Sequence, residues 1–154
     1  MTFSVTSNDI TDGGILPDAQ VQAKGNTSPH LKWSGAPEGT KSYAVTCYDP
    51  DAPTGSGFWH WTVANIPADV TELPAGGPIP AGAVEGRTDF GEPGYGGAAP
   101  PPGHGPHRYI FTVFAVDTEK LDVTPDNSGA VFGFNLHFHT LAKASITATY
   151  ENRG

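Results

Sequence analysis

The apolar residues of this chain come in short segments of period two, and clusters of glycine, proline, asparagine and aspartate separate them. In 42–49, Tyr43, Val45 and Cys47 alternate with Ala44, Thr46 and Tyr48. In 58–66, Trp59, Trp61 and Val63 fall on one side, with His60, Thr62 and Ala64 on the other. Residues 108–117 are apolar on both faces except at Thr112, which suits a central strand. Weaker strands are expected at 3–7, 30–33, 83–89 and 145–151. Turn formers at this density exclude long helices: glycine supplies 20 and proline 15 of the 154 residues. Disorder is excluded as well, because only 16 % of residues are charged and 16 are aromatic. The pattern predicts a mostly β, antiparallel sandwich or barrel. No repeat or composition break divides it, so residues 1–154 read as a single domain.

One segment departs from this rhythm. In 128–143 the apolar residues Val131, Phe134, Phe138 and Leu141 follow spacings of three and four. Pro125, Asp126, Asn127 and Ser128 supply helix-start chemistry, and Lys143 suits a helix C-terminus. The spacing predicts one amphipathic helix near the C-terminus, packed on the β domain through that stripe. Two long loops, 67–80 and 91–106, are the expected seats of function.

Charge narrows the partners. Sixteen acidic residues against eight Lys and Arg leave a net charge of −8, which repels nucleic acid and anionic membrane surfaces. The first residues have neither a basic segment nor an apolar run, and no stretch reaches membrane-span length, so a cytoplasmic protein is expected. The single Cys47 sits in a strand pattern and reads as a buried residue rather than a nucleophile. An apolar patch around the tryptophan-rich strands is a candidate homodimer surface.

The residues that carry chemistry gather at strand ends. Asp49 and Asp51 flank Pro50, and in extended chain residues two apart point to the same side, so both carboxylates can face one pocket. A turn in which each carboxylate bonds nearby backbone N–H groups is the other reading of the same residues. His60 lies inside a strand, where a polar ring needs a partner, and His107 opens the central strand directly after the 91–106 loop. His30 and His104 read as loop residues, with the pocket rim open to His104. His137 and His139 would stand about 200° apart on a helix and cannot grip one ion. Thr54-Gly55-Ser56-Gly57 reads as a hairpin turn, and no nucleophile elbow, Walker loop or dinucleotide fingerprint is present.

The run Tyr48-Asp49-Pro50-Asp51-Ala52-Pro53-Thr54-Gly55-Ser56-Gly57-Phe58-Trp59-His60-Trp61 closely resembles the phosphatidylethanolamine-binding protein family. So does Pro100-Pro101-Pro102-Gly103-His104-Gly105-Pro106-His107-Arg108-Tyr109, and the likeness is greatest to the bacterial branch of Raf kinase inhibitor-like proteins. It extends to Asn26-Thr27-Ser28-Pro29-His30-Leu31, Arg87-Thr88-Asp89-Phe90-Gly91 and Gly133-Phe134-Asn135-Leu136-His137-Phe138-His139. The resemblance implies an antiparallel Greek-key β-sandwich with a small anion-binding pocket. By motif position, Asp49, Asp51, Pro53, His60, Pro101, His107 and Tyr109 would line it.

The function expected from this likeness is binding of a small anion or phospho-headgroup such as phosphoethanolamine, with regulation of a kinase or protease partner. Imidazole and backbone N–H groups would donate to phosphate, and carboxylates would accept from an ammonium. The alternative is a small-molecule hydrolase, or a metal-dependent enzyme built on Asp49, Asp51, His60 and His107. No catalytic motif favours it, and neither a cofactor nor a metal is expected.

Overall fold

The computed structural model describes residues 2–154. In chain order the elements are β1 (Ser4–Thr6), β2 (Leu31–Ser34), β3 (Ser42–Asp49), β4 (Phe58–Pro67), β5 (Glu72–Leu73), β6 (Val84–Glu85), β7 (His107–Val116), α1 (Gly129–His139) and β8 (Thr140–Tyr150). They form a small antiparallel sheet, β1-β2-β5, and a five-stranded antiparallel sheet, β6-β4-β3-β7-β8. The larger sheet ends on β6 and β8 without closing, so the architecture is a sandwich and not a barrel.

Period two in the sequence becomes two apolar layers. Tyr43, Val45 and Cys47 of β3, Val63 of β4 and Phe111 and Val113 of β7 point inward, against Phe3, Leu31, Trp33 and Leu73. On the opposite face Ala44, Ala64 and Val116 meet Phe132 and Leu136 of α1, together with Leu121 and Val123. The five-stranded sheet is therefore covered on both sides, which explains why β7 is apolar on both faces. Its one polar interruption, Thr112, shares a hydrogen bond with Ser145 across to β8 at 2.9 Å. The outer edge of β8 is paired near its end, where Gly13 and Leu16 N–H donate to Thr147 and Thr149 carbonyls at 2.7 and 2.8 Å. Among the described residues no helix is long and apolar enough to cross a membrane.

Three expectations are corrected. The helix stops at His139, and the chain turns at once into β8, which begins five residues before the strand expected at 145–151. The predicted stripe does not pack: Phe134 is 68 % and Phe138 64 % exposed, and Val131 and Leu141 are exposed too. Phe132 and Leu136 face the sheet instead, because Ala44 and Ala64 leave room there. Gly129 brings the helix start down onto Trp59, since a Cβ at that position would stand 2.1 Å from the indole ring. The α1 segment carries apolar side chains on more than one face, and the shape of the sheet chooses its inner face.

The tryptophans are the third correction. Trp59, Trp61 and Val63 do not share a face, because β4 carries a bulge. Cys47 pairs with Trp61 and Tyr48 with Trp59, so His60 is an extra residue with no opposite number. Trp61 enters the inter-sheet core and Trp33 is buried, while Trp59 is half-buried beside the start of α1. Two of the three tryptophans are therefore withdrawn from the surface. Shorter strands also shift slightly: within 83–89 the strand is Val84–Glu85, with isolated bridges at Arg87, and the 67–80 loop contains β5.

Candidate functional site

Antiparallel pairing brings three strand ends together. The end of β3 lies beside the start of β4, with Asp49 opposite Phe58, and beside the start of β7. On β7, His107 and Tyr109 are two apart and share a face. The bulge at His60 turns its ring toward the same place, 5.3 Å from the Tyr109 ring. These residues enclose a cavity of about 230 Å³, lined by Asp49, Thr54, His60, His107 and Tyr109 among apolar walls. Pro53, Pro101, Phe58 and Phe90 supply much of those walls.

Six of the seven predicted residues thus line one cavity: Asp49, Pro53, His60, Pro101, His107 and Tyr109. Asp51 does not. Pro50 and Asp51 form a turn rather than extended chain, so the two carboxylates diverge. Asp51 N–H donates to Asp49 Oδ1 at 2.7 Å, which makes the Asx-turn reading correct for the backbone. The Asp51 carboxylate turns outward and accepts both Arg108 Nε–H and Nη2–H, at 3.0 and 2.9 Å, and the Arg108 backbone N–H at 2.9 Å. That guanidinium holds the Asp51 carboxyl down at about 2.

Asp49 and His107 are each 2 % exposed and form the buried centre. His107 Nδ1–H donates to Asp49 Oδ2 at 2.7 Å. Both carboxylate oxygens of Asp49 are therefore already engaged. The other ring nitrogen, Nε2, is bonded to Nδ1 of His104 at 2.6 Å. His60 Nδ1–H donates to the Gly96 carbonyl at 2.8 Å, and Gly96 N–H donates back to the His60 carbonyl at 2.9 Å. This pair anchors the 91–106 loop to β4. Burial lowers the His60 pKa below its ordinary value, against weaker opposing effects of the Gly96 hydrogen bond and the Asp49 charge. Tyr109 is 1 % exposed, and its hydroxyl has no hydrogen-bond partner among the described residues. Burial raises its pKa far above the ordinary phenol range, so it is an O–H donor at any working pH.

Phe58, Phe90, Ala52, Thr54 and Ala99 also line the cavity and were not singled out from sequence. Period and polarity mark neither phenylalanine; in the fold their rings meet edge to face at the cavity wall, with centres 4.7 Å apart. His104 was placed at the rim only as an open option, and its bond to His107 puts it in the polar chain of the site. The four residues weighed as a metal set do not converge, because Asp51 faces Arg108. No cluster of three or more His, Cys, Asp or Glu suited to a metal occurs among the described residues. His139 pairs with Asp117 at 2.8 Å, apart from His137. Cys47 is buried, which raises its thiol pKa. A larger groove of about 650 Å³ adjoins the cavity at Ala99 and Pro101, but its cations are already paired, Lys24 with Asp18 and Arg153 with Glu151.

The sequence and fold of this chain resemble those of known proteins. The chain is 56 % identical to the UPF0098 protein YbhB of Escherichia coli over 97 % of its own length and all of that protein. It is 55 % identical to YbcL of the same organism, across 97 % of this chain and 87 % of the relative. The crystal structure of E. coli YbcL, described as a new member of the mammalian PEBP family, superposes with a TM-score of 0.95 at 54 % identity, covering 98 % of this chain and 99 % of that one. A PEBP homologue from Chlamydia trachomatis superposes at 0.87 with 29 % identity and 98 % coverage of both chains. The sequence profile of the phosphatidylethanolamine-binding proteins matches residues 6–151. Carried from end to end by sequence and by fold, the likeness makes this chain a member of the phosphatidylethanolamine-binding protein family.

Proposed function

We propose that the cavity binds a small anion of the phosphate type and that the protein is a binding module. The observation that carries this reading is the Tyr109 hydroxyl, a buried donor without an acceptor at the wall of a cavity. Buried polar groups are normally satisfied, so a missing acceptor points to a ligand that supplies one. The cavity, at about 230 Å³, is smaller than typical pockets for drug-sized ligands and suits a headgroup. Asp49 has both oxygens engaged and Asp51 faces away, so the site offers an anion more than it offers an ammonium. Inorganic phosphate is accordingly expected to bind about as well as phosphoethanolamine.

A binding role is preferred to hydrolysis for a geometric reason. The Asp49–His107 pair ends on the His104 ring and not on a hydroxyl or thiol, so it activates no nucleophile. Regulation of a kinase or protease partner belongs to the same proposal and is supported by family membership alone.

Calorimetric titration with phosphate tests the reading. The wild type is expected to bind, and Tyr109→Phe to lose at least about tenfold in affinity, as befits a hydrogen bond to a charged group. The same substitution should leave thermal stability equal or slightly higher, because it removes an unpaired buried hydroxyl. Equal phosphate affinity in both proteins would overturn the proposal.

A further inference from the structure

The Asp49–His107 pair does not end inside the protein. His107 is 2 % exposed and both of its ring nitrogens are occupied, so water does not reach it. Its Nε2 partner, His104, is exposed at the tip of a turn in which His104 N–H donates to the Pro101 carbonyl at 3.2 Å. Gly103 and Gly105 on either side have φ of 75° and 87°, left-handed backbone that only glycine adopts without strain. Between these two glycines the His104 ring lies against His107, with ring centres 4.8 Å apart.

We propose that His104 is a further functional residue of this site: it is the port through which the buried Asp49–His107 pair takes up a proton from solvent when an anion occupies the cavity. This rests on the anion-binding reading above.

The protons balance as follows. The Asp49 carboxylate only accepts, so His107 Nδ1 carries hydrogen, and the N···N bond to His104 holds a single hydrogen between two nitrogens. With His104 Nδ1–H as donor, both rings are neutral. When His104 Nε2 takes a proton from a buffer acid in the solvent, the Nδ1 proton crosses to His107 Nε2. His107 is then the imidazolium, bonded to Asp49 on one side, and His104 is again neutral. One proton has entered from outside, one has moved inward, and no other bond changes. The charge arrives at a ring that lines the cavity, while the exchange with water takes place outside it. The groups facing this relay are Asp49 from β3, His60 from β4, Tyr109 from β7 and the Asp51–Arg108 pair beyond. Among them His60 also titrates, and burial opposes its charging.

Inorganic sulfate is the probe, because it does not itself titrate near neutrality. Calorimetry at pH 7 in buffers of different ionisation enthalpy reads the protons taken up per sulfate bound. Wild type should take up protons. His104→Asn keeps an amide donor near His107 but cannot titrate, so it should bind sulfate about tenfold more weakly, one decade for each unit of coupling lost, and lose most of the uptake. Sulfate binding with unchanged uptake in His104→Asn would overturn the relay and leave the anion site standing. Absence of sulfate binding in wild type would overturn the anion reading itself. A second measurement reads the relay directly. Ring-nitrogen NMR of the sulfate complex at pH 7 should show both His107 nitrogens carrying hydrogen in wild type, and Nδ1 alone in His104→Asn. A His107 ring with hydrogen on both nitrogens in that variant would overturn the relay.

Discussion

His60 shows how one inserted residue sets both position and chemistry. The bulge turns it into the cavity, the Gly96 carbonyl takes its Nδ1–H, and burial lowers its pKa. A histidine that resists protonation in the folded state titrates first in the unfolded chain. Below the ordinary value of 6.5, the unfolded state therefore binds more protons, and stability falls as pH drops toward the folded value. Above 6.5 the penalty is absent. The stability-against-pH curve of wild type should slope upward through this window, and His60→Gln should lose up to about 1.4 kcal/mol per pH unit of that slope. Chemical denaturation from pH 5 to 8 measures it, and parallel curves for the two proteins would contradict the assignment. The existence of a polar cluster at these strand ends was legible in the residue types. The fate of Asp51 was not, because a two-residue spacing fixes the face only if the chain stays extended. The turn at Pro50 sends that carboxylate to Arg108.

Elements were legible where period two was uninterrupted. Residues 42–49 were assigned as the strand now seen, and 108–117 differs from β7 by one residue at each end, because the first alternates without interruption and the second is an apolar run bounded by turn formers. In β4 the pattern misled, since an extra residue reverses the face of everything beyond it and leaves no mark on composition. In α1 two apolar stripes compete, and only the small residues Ala44 and Ala64 on the sheet decide between them. That choice has an energetic consequence. Phe132→Ala should cost about 3–5 kcal/mol, the usual range for emptying a buried aromatic position. Phe134→Ala, two residues on, should stay within about 0.5 kcal/mol, as for an exposed side chain. Comparable losses in the two variants would mean that the helix packs through its other face.

At the scale of the whole molecule, a chain of net charge −8 and a phosphate-type ligand repel one another at long range. The cations nearest the site are neutralised locally: Arg108 is paired with Asp51, and Lys24 with Asp18. The proposed affinity therefore comes from a short-range donor, the Tyr109 O–H, inside about 230 Å³. Salt distinguishes this arrangement from a basic anion site. Added salt shortens the Debye length from about 30 Å at 0.01 M to about 8 Å at 0.15 M, which screens the repulsion while the contacts within the cavity remain. Phosphate affinity should hold steady or rise severalfold over that range. A protein that gathers anions with exposed lysines and arginines would lose affinity instead, as nucleic-acid binders do. Calorimetric titration across a sodium chloride series reads the sign directly. A steep fall with salt would place the anchoring charge on surface cations rather than on the buried strand ends.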